Sequence, residues 1–566
     1  MTDHATNSMT GGEAMVRLLE GHGVKHIFGL CGDTSLPFYD ALHRLDHGIE
    51  HILTRDERSA AYMADGYARV TGRVGVCEGP SGGGATYILP GIVEANESSV
   101  PVLSITTDVS TVSAGRYPLT ELDQEALFRP LTKWNTVIDS AANLPRMVRA
   151  AFRNMTTAPL GAAHLGLPFD VQKAPVADDD VWAESRFGTF PALPAGPDPD
   201  AIGTAVDAIL SAKHPLVVCG GGVVIASAEA ELALFAETLD IPVATTISGK
   251  GSLAETHPNC VGVVGTNGGV PATRAVVEES DLIVFIGCRA GSVTTERWRL
   301  PAPGTRIVHI DTDAVAIGAN YPTEVAIVSD ARLALKAMNG ELAQRGAGQA
   351  FGGAERAARA KVEKRDAFMV LADSDDQPIR PERVVRTLSA LLDDDAVVVA
   401  DPGTPCPYFS AFHEVRKPGR TYFSNRAHGA LGYSLAAAVG AQVGRPSSKV
   451  VSVMGDGSFG FTVGELETVT RLGLPITFVV FFNSVYGWIK AGQKSGFGER
   501  YYSVDFSRTD HAAVAAAYGI KSWRVEDPAD LEPVLKQALE TGGPTLVDVI
   551  AQPLQDAAAP VSEWVA

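Results

Sequence analysis

Apolar positions along this chain follow two alternating periods. Short runs of Val, Ile and Leu give way to Ala-rich stretches whose apolar residues return every three or four positions. The first pattern predicts buried parallel strands and the second predicts the helices that cover them. Three regions repeat the alternation. The first has strands at His26-Ile27-Phe28, Val74-Gly75-Val76 and Val102–Ile105, with helical periods over Ser59–Val70 and Leu144–Met155. The second has runs at Pro215–Val218, Pro242–Thr245, Leu282–Ile286 and Ile307–Ile310. The third has runs at Ala396–Ala400, Val450–Val453, Ile476–Phe482 and Thr545–Ile550. Residues 178–200 hold several prolines and acids, and residues 344–353 are rich in Gly, Ala and Gln, so both read as linkers. The expected fold class is α/β, with three domains that each carry a mainly parallel sheet covered by helices. They span residues 1–178, 195–345 and 375–552, followed by a tail, 553–566, whose Ala/Pro-rich end, 556–566, is expected to be mobile.

Composition narrows the function. Against 47 Lys and Arg stand 66 Asp and Glu, a net charge of −19. A reader of nucleic-acid backbones needs clustered positive charge, so no nucleic-acid partner is expected. The six cysteines form no C-x-x-C pair and the thirteen histidines no H-E-x-x-H, which argues against a zinc site or disulfide framework. No basic-then-apolar leader and no uncharged apolar run of about 18 residues occurs. The expectation is a soluble, acidic, cytoplasmic multidomain protein with no membrane partner, and a local basic cleft for an anionic small molecule stays open.

The most informative stretch is Val450–Lys490. A strand runs into Gly455-Asp456-Gly457-Ser458, a helix is expected from about Thr462 to Leu472, and a second strand, Ile476–Phe482, ends at Asn483. Glycines admit an anion close to backbone N–H groups, and a helix start adds a favourable field. Asp456 and the amide oxygen of Asn483, with a backbone carbonyl, are the oxygen ligands a Mg²⁺ ion wants. A lone Gly-Asp-Gly is only a common turn. Here 25 residues separate Gly457 from Asn483, filled by a strand–turn–helix–strand unit. That combination resembles the signature of the thiamine diphosphate (ThDP) enzyme family, in which Gly-Asp-Gly precedes a pair of asparagines. Phe482 stands where the first asparagine of the pair is usual.

The resemblance extends along the chain. Thr54–Arg69 looks like the family segment in which a glutamate opens an Ala-rich helix ending Ala-Asp-Gly-Tyr-Ala-Arg, and Glu57 matches the glutamate that works on the cofactor's pyrimidine. Gly79–Thr86 resembles the family's glycine-rich turn, and His428–Tyr433 the stretch whose apolar residue, here Leu431, bends the cofactor. Asp401-Pro402-Gly403-Thr404 looks like the loop that meets the diphosphate. The resemblance implies a cofactor site of Gly403, Thr404, Leu431, Asp456, Gly457, Ser458, Asn483, Val485 and Tyr486, with Asp456, Asn483 and the Val485 carbonyl on Mg²⁺. Gln124 and Lys490 are candidate substrate-end groups beside catalytic Glu57. Lys490 departs from the glutamate of 2-hydroxyacyl-CoA lyases, and no His-His pair of the pyruvate-decarboxylase kind occurs.

In the middle region, Gly221, Gly222, Arg289 and Asp311 sit at expected strand ends, where a strand-terminal acid can hold a ribose and glycines admit a nucleotide. Relatives hold FAD, ADP or CoA there, or nothing. The implied activity is ThDP- and Mg²⁺-dependent making or breaking of a C–C bond beside a carbonyl, acetolactate synthase-like, on a 2-oxo acid. The alternatives are an acyl-CoA lyase or decarboxylase and a non-catalytic homologue. The family also implies a homodimer or homotetramer with active sites at the subunit interface.

Overall fold

The computed structural model describes residues 8–346 and 349–564. Strands are numbered in chain order. β1 (Ser8–Thr10) pairs antiparallel with β8 (Pro175–Ala177). Between them lie the six strands of the first sheet: β2 (His26–Gly29), β3 (Glu50–Leu53), β4 (Gly75–Gly79), β5 (Val102–Asp108), β6 (Trp134–Val137) and β7 (Ala163–Pro168). Their order across the sheet is β3-β2-β4-β5-β7-β6. The second sheet is β11-β10-β9-β12-β13-β14, from β9 (Pro215–Cys219), β10 (Val243–Thr245), β11 (Cys260–Val263), β12 (Leu282–Ile286), β13 (Arg306–Asp311) and β14 (Val325–Val328). The third is β16-β15-β17-β18-β20-β19, from β15 (Val397–Ala400), β16 (Tyr422–Ser424), β17 (Val450–Gly455), β18 (Ile476–Phe482), β19 (Lys521–Val525) and β20 (Thr545–Ile550).

Every pairing within these three sheets is parallel. Parallel sheets are covered on both faces, which is why a central strand such as β18 is apolar and buried along its whole length. Among the described residues no helix is long and apolar enough to cross a membrane.

The chain divides into two compact units. One comprises the described residues up to Leu193 with Ala427–Pro446 and Thr462–Leu472. The other comprises Pro194–Arg426, Ser447–Phe461 and the described residues from Gly473 onward.

In the first unit the helix Tyr433–Gly444 lies on the helix Glu57–Thr71 at backbone contact. A Cβ on Gly66 would strike the Ala437 carbonyl, and one on Gly440 the Met63 carbonyl. Buried charges clamp the same contact. Tyr433 hydrogen-bonds Asp65, Arg69 pairs with Asp65 (2.7 Å) and with Glu94 (3.1 Å), and Glu94 accepts the N–H groups of Ala427 (3.2 Å) and His428 (2.7 Å). Each ion is paired, as burial requires.

In the second unit the wholly buried Lys250 pairs with Glu255 (2.7 Å), which accepts the Val415 N–H (2.9 Å) and so ties second-sheet loops to the third sheet.

Two expectations need correction. The helix after β17 begins at Asp456, not near Thr462: Asp456–Thr462 is helical, Val463–Glu465 is a 3₁₀ turn and Leu466–Leu472 is helical again. The Asp456 carboxylate accepts the first-turn N–H of Gly457 (2.8 Å), meeting a donor that a helix start leaves open, so a glycine-rich start is tolerated. The C-terminal stretch, expected to be mobile, is tied down through residue 564. Ser562 donates to the Thr266 carbonyl (3.0 Å), Glu563 pairs with Arg297 (3.0 Å) and Arg299 (3.1 Å), and Trp564 packs edge-on to Trp488.

Candidate active site

The residues singled out in sequence gather at strand C-terminal ends, as expected of parallel sheets. They fall into separate groups.

In the first unit, Asp56 caps the helix Glu57–Thr71 by accepting the N–H groups of Arg58 (2.7 Å) and Ser59 (3.3 Å). Glu57 is therefore held at the first turn. Its side chain is buried, and burial raises its carboxyl above the usual range, assisted by the charge of Asp56. Glu465 fixes the preceding loop by accepting the Arg55 N–H (2.9 Å). Gly79 makes room: a Cβ there would lie 3.2 Å from Cγ of Glu57.

Gln124 is not a surface amide. It is buried, its Oε1 accepts from Thr106, and its Nε2 donates to the Thr107 carbonyl (3.0 Å). Thr106 also meets Nε2 of His164 (2.6 Å), which is stacked on Phe128 and which burial pushes down to about 3. Leu431 is half-buried in the loop that Glu94 holds, just before Gly432, whose φ of +85° starts the next helix.

Sequence reasoning missed Glu78, at the end of β4. It is wholly buried and accepts hydrogen bonds from Ser35 (2.6 Å) and Tyr39 (2.7 Å). Burial pushes its carboxyl up to about 7, with the Glu57 charge acting in the same direction. The one available signal was a Glu inside an otherwise apolar strand, Gly75–Gly79.

In the second unit, the Asp456 carboxylate accepts three backbone N–H groups: Gly457 (2.8 Å), Asn483 (2.9 Å) and Ser484 (2.5 Å). Burial raises this carboxyl and the three N–H groups oppose the rise. Both amide atoms of Asn483 are buried without a hydrogen-bond partner. Ser484 takes a left-handed φ of +56° and turns the chain. Val485 then faces Asp505 across an isolated antiparallel bridge. The bridge's hydrogen bonds run from Tyr486 N–H to Val504 (2.9 Å) and from Phe506 N–H to Ser484 (3.0 Å), so the Val485 carbonyl points away from it.

Tyr486 and Gly457 pack together: a Cβ on Gly457 would meet the tyrosine ring at 2.8 Å. Ser458 donates to the buried Asp401 (2.9 Å), and Thr404 lies beside Gly487, near the start of the helix Gly487–Gly496. Gly403, at φ +97°, has open space where a Cβ would be. One carboxylate, one orphaned amide and one carbonyl fit a hard cation that a phosphate must complete. Lys490, on the same helix, pairs with Asp505 (2.6 Å).

The second sheet has the order 3-2-1-4-5-6 counted within itself, that of dinucleotide-binding folds. Its order reverses between β9 and β12. Gly220, Gly221 and Gly222 follow β9, and Gly287, Cys288 and Arg289 follow β12. A Cβ on Gly222 would lie 2.6 Å from Cα of Gly287, so these glycines let the two strand ends touch. Arg289 is exposed, and Asp311 ends β13, its carboxylate accepting the Asp313 N–H (2.9 Å).

These features define a class: a cofactor-dependent α/β enzyme with three parallel sheets, an acid-bearing helix start on one and an oxygen-donor turn on another. Comparison with known proteins specifies it. Residues 9–127, 202–338 and 401–549 match the N-terminal TPP binding, central and C-terminal TPP binding domains of thiamine pyrophosphate enzymes. A probable acetolactate synthase large subunit of Methanococcus aeolicus is 35% identical over 563 residues, covering 96% of this chain and 92% of that protein. Acetolactate synthase isozyme 3 large subunit of Escherichia coli K12 is 31% identical over 534 residues, covering 94% and 92%. The chain belongs to the thiamine pyrophosphate enzyme family, in the acetolactate synthase branch, and is a ThDP-dependent enzyme.

Proposed function

We propose that this enzyme joins the acyl fragment of a decarboxylated 2-oxo acid to the carbonyl of a second 2-oxo acid, as its relatives' name implies. The observation that supports this reading is similarity along nearly the whole chain to proteins named acetolactate synthase large subunit. When bound, ThDP supplies the electron sink that makes an acyl carbon nucleophilic. The chain supplies orientation and proton handling. Glu57 would hold or release a proton at its carboxyl toward the cofactor's pyrimidine ring, and its burial keeps that carboxyl raised. Asp456, the Asn483 amide oxygen and the Val485 carbonyl would hold Mg²⁺, whose chemistry there is to neutralise the cofactor's diphosphate. Ser458, Gly457, Thr404 and Gly403 line the anion's turn, and Leu431 and Tyr486 pack on the cofactor. Lys490 and Gln124 stand at the substrate end. The acting unit is a homodimer, or a pair within a tetramer, in which Glu57 of one copy serves the cofactor held by Asp456 of the other.

The strand order of the second sheet and its paired glycines support a further part of this reading: Gly221, Gly222, Asp311 and Arg289 at the reversal between β9 and β12 would hold FAD or the ADP portion of CoA.

Incubation with pyruvate, ThDP and Mg²⁺ is expected to yield acetolactate. Consumption of a 2-hydroxyacyl-CoA or oxalyl-CoA, with pyruvate untouched, would replace this reading by the acyl-CoA one. Glu57→Gln and Asp456→Asn are each expected to lose turnover by about 10²-fold or more. Mixed under subunit exchange, they should regain about a quarter of wild-type activity, since half of the dimers carry one intact site of two. No recovery after verified exchange would sink the shared-site arrangement.

A further inference from the structure

The segment Pro560–Trp564 has no part in the chemistry above, yet it joins two separate parts of the second unit. At one end it meets the loops of the second sheet. Gly268 donates to the Pro560 carbonyl (2.9 Å), Asn267 faces Val561 across an antiparallel bridge, and Ser562 donates to the Thr266 carbonyl (3.0 Å). Thr266 donates in turn to the Val293 carbonyl (2.8 Å), inside the loop that leaves β12. Glu563 then grips that loop twice, through Arg297 and Arg299.

At the other end the segment meets the helix Gly487–Gly496. Trp564 packs edge-on to Trp488, ring centres 5.1 Å apart, and a Cβ on Gly492 would lie 3.6 Å from the Trp564 carbonyl. Trp488 and Gly492 stand four positions apart and so share one face of the helix. Ile489 stays exposed and Lys490 pairs with Asp505. Trp564 therefore seats one face of the helix and leaves these two residues clear.

The gripped loop is held in an unrelaxed form. Glu296, Arg297 and Trp298 have φ of +47°, +56° and +58°. Residues with side chains enter this region singly, and three in succession persist only where their surroundings fix them. The fixing contacts are Arg274 on Glu296 (2.6 Å) and Glu563 on Arg297 and Arg299. The same loop begins with Gly287, Cys288 and Arg289, at the reversal between β9 and β12. Adjacent residues, Glu563 and Trp564, thus connect a strained loop of the second sheet to the helix that carries Lys490.

We propose that Pro560–Trp564 is a strut that couples the loop after β12 to the helix Gly487–Gly496. Glu563 and Trp564 are positioning residues: the carboxylate fixes the loop, the indole seats the helix, and a change in the loop reaches the substrate end through them. The link is a contiguous run of ion pairs, backbone hydrogen bonds and one ring contact, the physical form that such coupling takes. This inference rests on the reading of that helix as the substrate end.

The first test needs no cofactor. In the cofactor-free protein, Arg297→Met combined with Arg299→Met should speed hydrogen exchange at the backbone of residues 487–496 as well as 289–300, although both arginines lie outside the helix. Glu563→Gln should do the same, and adding it to the arginine pair should change little, because all three cut one link. Faster exchange confined to 289–300 would overturn the proposal. In the loaded enzyme, Trp564→Ala should alter the ratio of kcat/KM for two 2-oxo acids of different length by about two- to thirtyfold. Its affinity for ThDP with Mg²⁺ should stay unchanged, and Trp564→Phe, which keeps an edge-on ring, should restore most of the ratio. A lowered thermal midpoint with every 2-oxo acid slowed alike would show a merely structural tail and refute the strut. Lys490→Met, measured alongside, separates the failures. Unaltered preference there refutes the placement of the helix at the substrate end, whereas altered preference there beside an unaltered Trp564→Ala refutes the strut alone.

Discussion

The first and third sheets share one strand order, 2-1-3-4-6-5 counted within each, and each carries a buried acid at the C-terminal end of its third strand. In the first sheet the acid is Glu78, in the third Asp456. Burial raises both carboxyls, but their donors differ in kind. Asp456 is met by three backbone N–H groups, which can only donate. Such a bed favours the anion, and the orphaned amide of Asn483 adds an oxygen for a cation. Glu78 is met by two hydroxyls, which donate or accept as needed, so it can hold its proton. The same position in the same topology thus sets an acid against backbone N–H groups in one sheet and against hydroxyls in the other. Donor chemistry, not depth of burial, makes the difference.

The largest expected effect tests whether depth of burial alone decides how these acids are held. Asp65 and Glu94 are equally buried in the first unit, but Arg69 pairs with both. Arg69→Met would leave two carboxylates without a counter-ion, and breaking a buried pair costs about 3–5 kcal/mol. Chemical denaturation should show a loss of this size. A loss below about 1 kcal/mol would mean that pairing with Arg69 does not hold these acids, and the contrast would collapse.

The next effect concerns pH. Folding raises the Glu78 carboxyl from 4.5 to about 7, so the folded state binds its proton more tightly than the unfolded chain does. The penalty for ionising it is absent below pH 4.5, grows as pH rises and is complete above about 7. At about 1.4 kcal/mol per pH unit, its upper bound is about 3.5 kcal/mol. Glu465, pushed to about 7, and Asp108, pushed to about 6, act in the same direction. Glu78→Gln should therefore flatten, not abolish, the decline in stability between pH 4.5 and 7. An unchanged slope would mean that Glu78 ionises as easily folded as unfolded.

The two acids also differed in how visible they were in sequence. Asp456 and Asn483 stood out because one strand–helix–strand unit brings them together, so their spacing carries the geometry. Glu57 was legible through the helix that it opens. The hydroxyl chain of Glu78 draws on residues 34, 35, 81, 107 and 120, which only the folded sheet assembles. The strands follow a similar rule. Those that the hydrophobic pattern missed include both edges of every large sheet: β3 and β6, β11 and β14, β16 and β19. Edge strands have one neighbour and tolerate residues such as Glu50, Asn135 and Arg524. The interior strand missed was β7, whose sequence Ala-His-Leu-Gly-Leu-Pro lacks a β-branched run. The capped helix start at Asp456 was hidden because Gly455, Gly457 and Gly460 read as turn residues, while the carboxylate that meets Gly457 is visible only in three dimensions.

The smallest effect examines the other acid. If the backbone bed and the Asn483 amide suit Asp456 to a cation, Mg²⁺ with inorganic diphosphate should bind the folded protein and raise its stability by linkage. At ten times the dissociation constant the gain is about 1.4 kcal/mol. Asp456→Asn removes the charge and places an amide NH₂ against the N–H donor of Gly457 or against those of Asn483 and Ser484, so its thermal midpoint should not respond to the pair. Glu78→Gln should respond as the wild type does, because its acid faces hydroxyls and has no orphaned oxygen donor beside it. If both variants lost the response, the two acids would act in one binding event and their assignment to different tasks would fail. If neither lost it, Asp456 would not be the cation's ligand. Loss in Asp456→Asn alone is the outcome that donor chemistry requires.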